Sequence, residues 1–205
     1  MLEARQLAAS RGNTTLFSGL GLALAPGTLL RVRGANGSGK TTLLRMLCGL
    51  ILPHEGQVLW DGRDIRVLRE EYWKHLVYIG HADALKGDLS AEENLQLTCA
   101  ISGAALEPGR ARAALEAFGL AGREHLPARA LSQGQRRRVA LARLAASAAS
   151  LWILDEPLAA LDITAVGRVK ELVREHLVRG GMAVMTTHQE ITIDAPTAEL
   201  DLDAR

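Results

Sequence analysis

A glycine-rich segment near the N-terminus has the residue types and the spacing that hold a phosphate group. Residues Gly34–Thr41 have the sequence GANGSGKT, which matches the pattern GxxxxGK[ST] at every fixed position. Glycines let successive backbone N–H groups turn towards an anion, and a helix starting at Lys40 would add its positive dipole end. Lys40 would place a cation on the β- and γ-phosphates, while the Thr41 hydroxyl can ligate Mg²⁺. An ordinary glycine-rich turn is the alternative, but the apolar strand before the motif and the helical pattern after it favour a nucleotide-binding loop. The predicted phosphate-binding residues are Gly34, Asn36, Gly37, Ser38, Gly39, Lys40, Thr41 and Thr42.

Two acidic residues follow a short apolar run further along the chain. Residues Leu151–Leu154 are typical of a strand buried on both faces of a parallel sheet, and Asp155 and Glu156 come directly after it. Because ligands bind at the carboxyl ends of such strands, we expect both side chains to lie near the phosphate-binding loop. Asp155 would hold Mg²⁺ through water, and Glu156 would act as general base on the attacking water. A strand-end turn with solvated acids is the alternative, which the phosphate-binding loop in the same chain disfavours.

A third motif lies between these two in the sequence. Residues Leu131–Gln135 (LSQGQ) precede a basic helical stretch that begins with Arg136, Arg137 and Arg138. Ser132 is a natural helix N-cap, so the segment predicts a second helix N-terminus that can bind phosphate. A capped surface helix with a solvated arginine face is the alternative interpretation.

The three motifs together resemble the ABC ATPase family, whose signature is LSGGQ followed by a basic helix. Gln133 replaces the first glycine of that signature, and the other positions match it. The resemblance implies that the chain binds ATP and Mg²⁺. It also implies that the signature residues face the nucleotide of a second copy of the chain in an ATP-sandwich dimer. The residues concerned are Ser132, Gly134 and Gln135.

Four further positions take a role from the same family pattern. Asp162 matches the D-loop, and His188 matches the switch histidine that contacts the γ-phosphate. His81 stands where most members have a glutamine; it can still interact with water near Mg²⁺, but it can also titrate near neutral pH. Arg11 stands where most members stack an aromatic ring on adenine, and a guanidinium plane can stack on a base too. A solvated hairpin arginine is an equally good interpretation of Arg11.

The elements that would position these motifs alternate between strands and helices. Short apolar runs predict strands, and a period near 3.6 residues predicts helices. The predicted strands are Leu29–Arg33, Gln57–Trp60, Leu76–Ile79, Leu151–Leu154 and Met182–Thr186, and the predicted helices are Lys40–Leu50, Ala91–Ile101, Arg110–Phe118, Gln133–Ala146 and Thr164–Val178. This order predicts an α/β fold of the P-loop ABC ATPase type, a mostly parallel sheet flanked by helices with an antiparallel N-terminal edge. We expect a single ABC ATP-binding domain over 1–205, with a RecA-like core at 1–83 and 149–205 and an inserted helical subdomain at 84–148.

The composition limits the partners of the chain. Its 24 Lys and Arg residues against 23 Asp and Glu residues leave a formal charge of +1, which argues against a nucleic-acid partner. Cys48 and Cys99 have no metal-site spacing, so we expect buried free thiols in a reducing compartment. The N-terminus has no signal-peptide pattern, and no stretch approaches the roughly 18 apolar residues of a spanning helix. We therefore expect any link to a membrane to come through partner proteins.

Four segments narrow the resemblance to the ATP-binding subunits of haem exporters in bacterial cytochrome c maturation. These segments are Arg11–Leu20, Tyr78–His81, Leu151–Pro157 and Thr186–Gln189. The resemblance implies a subunit on the cytoplasmic face of the bacterial inner membrane, where ATP hydrolysis drives integral membrane ABC subunits to release a haem-loaded chaperone. No direct haem binding is expected, because the chain has no CxxCH and no histidine pair spaced for haem. An ABC importer or exporter for another small substrate is one alternative, and a soluble ABC ATPase is another.

Overall fold

Strands and helices alternate along the chain in the computed structural model, which describes residues 1–103, 105–187 and 191–203. The strands are β1 (Leu2–Arg11), β2 (Thr14–Leu24), β3 (Leu29–Arg33), β4 (Glu55–Trp60), β5 (Arg63–Asp64), β6 (Leu76–Ile79), β7 (Leu151–Asp155), β8 (Met182–Thr186) and β9 (Thr197–Asp201). The helices are α1 (Lys40–Leu47), α2 (Ile65–Leu68), α3 (Glu70–Trp73), α4 (Ala91–Ile101), α5 (Pro108–Glu116), α6 (Gln133–Ala146) and α7 (Ile163–Val178).

A parallel sheet in the order β6-β7-β8-β3-β9 forms the centre of the fold. Strand β7 shows why its sequence is continuously apolar, since both of its faces are buried. Leu151 and Ile153 pack into one hydrophobic core, and Trp152 and Leu154 pack into the other. The carboxyl end of β7 therefore carries Asp155 to the edge of the sheet where the phosphate-binding loop begins after β3.

The N-terminal strands form an antiparallel sheet of their own, in the order β2-β1-β4-β5. The predicted α/β fold is confirmed, but these strands do not form an edge of the parallel sheet. The reason is that β1 hydrogen-bonds to β2 on one side and to β4 on the other, which leaves it no free edge for the parallel strands. The apolar side chains of β1 and β4 share a core with α1 and with one face of the parallel sheet, so α1 lies between the two sheets.

Helices α4, α5 and α6 lie between β6 and β7 in the sequence and pack on one another. Their apolar side chains share a core with α7 and with the second face of the parallel sheet. Both α4 and α6 have the predicted bounds and begin with a serine capping box, at Ser90 and Ser132. The division of the chain at 84–148 stays a prediction, because this core continues without a break into the sheet.

Several elements differ from the sequence prediction. Helix α5 runs from Pro108 to Glu116 rather than from Arg110 to Phe118, and the short elements β5, α2 and α3 were not predicted. Helix α1 ends at Leu47 rather than Leu50, because Gly49 takes a left-handed backbone with φ 72°. Strand β9 was not predicted, since Leu200 alone among its five residues is buried and the strand has no apolar run. Within the described residues, no helix has both the length and the apolar character to cross a bilayer.

Candidate functional site: a phosphate-binding loop and its carboxylates

The phosphate-binding loop joins β3 to α1, and its backbone needs glycine at defined positions. Gly39 caps α1 with φ 101°, and a Cβ there would lie 3.1 Å from the Phe17 ring. Gly34 has φ 144°, and a Cβ there would lie 2.5 Å from the Ser38 hydroxyl oxygen. Because these values lie in the left-handed region, side chains at both positions would strain or fill the loop. The loop therefore packs closely against Phe17 and against its own Ser38 in front of α1.

A cavity of about 240 Å³ opens in front of this loop. Its lining combines the loop with residues from β1, β2 and the end of β7: Arg11, Leu16, Asn36, Gly37, Gly39, Lys40, Thr41, Thr42 and Glu156. Arg11 therefore lies on the same cavity as the loop, as its predicted role requires. The buried Lys40 donates hydrogen bonds from Nζ to the carbonyl oxygens of Gly34 and Ala35, at 2.7 and 2.9 Å.

One hydroxyl in the loop, Ser38 Oγ, is buried without a hydrogen-bond partner within the described part of the chain. A buried hydroxyl without a partner is costly, so a group that supplies a hydrogen bond there would stabilise the loop. A phosphate oxygen is such a group, and the first turn of α1 adds its positive dipole.

The end of β7 meets the start of α1 through the buried carboxylate of Asp155. Thr41 donates a hydrogen bond from Oγ1 to Asp155 Oδ2 at 2.8 Å, and Thr186 of β8 donates one from Oγ1 to Asp155 Oδ1 at 2.8 Å. The Thr186 hydroxyl oxygen also accepts the backbone N–H of Glu156 at 2.9 Å. Thr186 therefore ties both acidic residues to the neighbouring strand.

The adjoining oxygens of Thr41 and Asp155 are the hard donors that Mg²⁺ prefers. Magnesium binds through one or two protein groups and completes its octahedron with water and phosphate oxygens. That mode suits this site, where one hydroxyl and one carboxylate lie together. The residues present fit the predicted Mg²⁺.

The signature segment lies away from the phosphate-binding loop. Ser132 and Gln135 bond to each other, since Ser132 Oγ accepts the Gln135 N–H and Gln135 Oε1 accepts the Ser132 N–H. Gly134 lies against Ala160, because a Cβ added at Gly134 would be 3.3 Å from the Ala160 carbonyl oxygen. Neither Ser132, Gly134 nor Gln135 lines the cavity in front of the loop. Their predicted action on the nucleotide of a second copy stays a prediction.

The remaining predicted residues have different surroundings. Asp162 caps α7 by accepting the Ala165 N–H at 2.9 Å, and it pairs with Arg138 of α6. His81 lies on a second cavity of about 300 Å³, beside the start of α6, and does not line the first one. His188 lies outside the described residues.

Sequence reasoning missed two residues that organise the site. Thr186 ends β8 directly opposite Asp155 of β7, and a threonine closing an apolar strand was the available signal. Arg137 is buried rather than solvated, and it donates to the carbonyl oxygens of Asp155 and Glu156 at 3.2 and 2.8 Å. The alternative interpretation, a solvated arginine face, is therefore wrong at Arg137, because the turn of α6 that carries it faces β7.

Burial and the site charge also act on a nearby thiol. Burial, together with the negative charge of Asp155, raises the pKa of the Cys48 thiol well above its ordinary value. Cys48 and Cys99 are both free and buried, as the sequence predicted. A thiol held neutral in this way is inert, so neither cysteine adds chemistry to the site.

Comparison with known proteins assigns a family to this fold and site. The family model described as ABC transporter matches residues 17–159. A cytochrome c biogenesis ATP-binding export protein, CcmA, from Nitrosomonas europaea is 53% identical over 197 residues, covering 96% of this chain and 92% of that protein. The protein of the same name from Nitrosospira multiformis is 54% identical over 192 residues, covering 94% and 93%.

Solved structures show the same fold. The dimeric bacterial ABC transporter cassette MJ0796 matches with a TM-score of 0.84 at 23% identity, covering 98% of this chain and 95% of that one. The post-hydrolysis dimer of that cassette, bound to ADP and Pi, matches with a TM-score of 0.81 at 24% identity, covering 92% and 88%. The chain therefore belongs to the ABC transporter family of ATPases, among the cytochrome c biogenesis ATP-binding export proteins.

Proposed function

We propose that this ATPase hydrolyses ATP in the cavity in front of the phosphate-binding loop, with Glu156 as general base. The observation that carries the proposal is that one cavity is lined by Lys40, Thr41 and Glu156. In this proposal the first two contact phosphate and metal, and the third takes a proton.

Each residue then has one task in the reaction. Lys40 leaves its loop carbonyls to neutralise the β- and γ-phosphates, and the backbone N–H groups of the loop orient them. Thr41 and Asp155 would hold Mg²⁺, which supplies Lewis-acid neutralisation of the phosphate oxygens. Glu156 accepts a proton from the water that attacks the γ-phosphorus, and ADP and phosphate leave. Arg11 stacks on the adenine. His188 assists near the γ-phosphate, and His81 does so from the neighbouring cavity.

The active state is a symmetric dimer in this proposal. Ser132, Gly134 and Gln135 of one copy face the nucleotide held by Lys40 of the other, and Asp162 lies at the same interface. Support comes from the capped N-terminus of α6, which can hold a phosphate, and from its position away from the cavity of its own chain. Segment 84–148 passes the closing motion to integral membrane subunits.

The proposed role is ATP-driven work in the haem export and cytochrome c biogenesis complex, at the cytoplasmic face of the bacterial inner membrane. The supporting observation is an identity near one half over almost the full length of relatives named as cytochrome c biogenesis ATP-binding export proteins. The step driven is the release of a haem-loaded chaperone by the membrane subunits. Direct haem binding and nucleic-acid binding are not part of the proposal.

The substitution Glu156→Gln tests the chemistry. We expect hydrolysis to fall by about 10²–10⁴-fold while ATP binding is retained, because the amide keeps the shape but cannot accept a proton. The dimer with ATP and Mg²⁺ should accumulate, as measured by size-exclusion chromatography. Glu55→Gln, at an exposed position of β4, is the matched control. Wild-type turnover of Glu156→Gln would assign the base elsewhere, and a monomer with ATP and Mg²⁺ would contradict the dimer.

The cargo is tested in cells that lack this gene. Wild-type chain should restore covalent haem on c-type cytochromes, detected by haem staining, and Glu156→Gln should not. The membrane subunits should co-purify with the wild-type chain. Normal cytochrome c maturation without the gene, together with loss of transport of another small substrate, would overturn the assigned cargo and leave the ATPase chemistry standing.

A further inference from the structure

Arg137 is buried in a place that its sequence does not predict. It is 4% exposed, although it lies in the middle of a run of three arginines at the start of α6. Its neighbours in the run bond locally or to another element, Arg136 to the Leu131 carbonyl and Arg138 to Asp162. Arg137 alone in this run donates to the end of β7 in the described structure.

The guanidinium of Arg137 joins three segments that are distant in sequence. Nη1 donates to the Gly80 carbonyl oxygen at 2.8 Å and lies 3.5 Å from Asp83 Oδ1. Nη2 donates to the carbonyl oxygens of Glu156 at 2.8 Å and Asp155 at 3.2 Å. The flat fork of arginine can reach all of these oxygens at once, and the single ammonium of lysine cannot.

The charge of this side chain is compensated by those partners. A buried cation is unfavourable unless hydrogen bonds and an opposite charge replace the lost water. Three carbonyl oxygens and the carboxylate of Asp83 supply them here. Since a well-packed apolar side chain would avoid the desolvation of a charge altogether, the arginine indicates a need for specific geometry rather than for stability.

The backbone of Glu156 is where that geometry is needed. Glu156 has φ 48°, a left-handed conformation that is unfavourable for a residue with a Cβ. The peptide groups on its two sides are both held. Thr186 Oγ1 accepts the N–H at 2.9 Å, and the carbonyl accepts hydrogen bonds from Arg137 at 2.8 Å and, within the same turn, from the Ala159 N–H at 3.2 Å. The Thr186 bond comes from the sheet, whereas the Arg137 bond comes from α6.

We propose that Arg137 is a positioning residue for hydrolysis, which holds the Glu156 backbone from α6 and so makes the placement of the base depend on the position of that helix. The same side chain ties the loop at 80–83, which contains His81, to the same point. Movement of α6 or of that loop would then change the Glu156 turn without passing through the phosphate-binding loop. This inference rests on the proposed role of Glu156 as general base.

The test replaces Arg137 by methionine and by lysine in the full chain. We expect kcat to fall about tenfold to 100-fold for Arg137→Met, because a displaced base loses much of its contribution. We expect the Kd for MgATP, measured by equilibrium binding, to stay within about twofold, since the phosphate-binding loop is untouched. Arg137→Lys should recover only a part of kcat, because one ammonium cannot reach all three carbonyls. If Arg137→Met fails to fold, Arg137→Lys carries the test.

A double-mutant cycle separates positioning from general loosening of the fold. Single-turnover hydrolysis of labelled ATP is compared for Arg137→Met in the wild-type and Glu156→Gln backgrounds. If Arg137 acts through the base, its loss has less than about a twofold further effect once Glu156 is glutamine. An equal fold-loss in both backgrounds means that Arg137 acts through stability alone, which would overturn the inference.

Arg143→Met is the matched control on the same helix. Arg143 is partly buried and lies 3.5 Å from the Tyr78 carbonyl, on β6 and away from the Glu156 turn. The Arg143→Met variant should have a lower melting temperature than the wild type and should keep the wild-type kcat. Equal losses of kcat in Arg137→Met and Arg143→Met would overturn the inference. If Glu156→Gln still hydrolyses ATP, the proposed function itself is contradicted. If Glu156→Gln is inactive but Arg137→Met is fully active, only this inference is contradicted.

Discussion

Replacing Thr186 by valine tests the link between the two acidic residues and the sheet. The side chains have the same shape, so the change removes a hydroxyl without opening a cavity. Two hydrogen bonds disappear, one given to the Asp155 carboxylate and one accepted from the Glu156 N–H. Thr186 is fully buried, so water cannot replace them in the folded chain.

The size of the effect follows from those two bonds. A hydrogen bond to a charged group contributes roughly 1.5–3 kcal/mol, and a buried donor left without a partner costs roughly 1–3 kcal/mol. Allowing for the gain from a buried methyl, we expect a loss of about 2–4 kcal/mol in the free energy of unfolding. For a chain of this length that corresponds to a melting temperature lower by about 5–15 °C.

Activity should fall by more than stability explains. Asp155 loses the bond that fixes one of its carboxylate oxygens, and the strained Glu156 turn loses the bond on its N–H side. We expect kcat to drop about tenfold to 100-fold at a temperature where the variant is fully folded. The measurements are thermal unfolding followed by circular dichroism and steady-state phosphate release. The control is Thr186→Ser, which keeps the hydroxyl and should recover most of kcat. A valine variant with the wild-type melting temperature and kcat would refute this account of the site.

Three further predictions concern nucleotide binding, the dimer and pH. Lys40→Ala should bind ATP about 10–100-fold more weakly, because a charged hydrogen bond to phosphate is lost, and near-normal ATPase activity would contradict this. Ser132→Arg should bind ATP yet stop hydrolysis. Mixing it with Lys40→Ala chains should restore some phosphate release, because one site of the mixed dimer then has an intact Lys40 and an intact Ser132. Normal hydrolysis by Ser132→Arg alone would contradict a site shared between two copies. Burial lowers the pKa of His176, which stacks on Trp152 at 3.9 Å, below its ordinary 6.5. As the pH drops, His176 therefore takes up its proton in the unfolded chain before it does so in the folded chain. The contribution of neutral His176 to the free energy of unfolding is present above pH 6.5 and is lost as the pH falls through the lower folded pKa. His176→Gln should melt with a smaller difference between pH 7.5 and pH 5.5 than wild type, and an unchanged difference would show that another group causes the acid sensitivity.

Local patterns were sufficient for most of the elements and for the candidate motifs. The bounds of α4 and α6 were predicted because an N-cap serine and a regular apolar period are properties of neighbouring residues. The phosphate-binding loop was predicted for the same reason, since its glycines and Lys40 lie in the contiguous segment Gly34–Thr41. The apolar run before Asp155 identified a strand buried on both faces.

Other features depended on contacts that no local pattern contains. The separate antiparallel sheet arises because β1 pairs on both of its edges, and β9 lacks the apolar run that identifies a strand. The roles predicted for His81 and Arg11 rest on position within a family pattern, and the fold places Arg11 on the nucleotide cavity and His81 on the neighbouring one.

The sequence by itself determined which residue types are present for phosphate binding and proton transfer, since those motifs are contiguous. Only the tertiary structure decided which of them meet. Thr41 and Asp155 are 114 residues apart and share a hydrogen bond because parallel strands bring their carboxyl ends to one edge of the sheet. The burial of Arg137 between two half-buried arginines was decided in the same way. Successive residues of a helix point about 100° apart, so the packing of α6 against β7 selects one of the three for the interior.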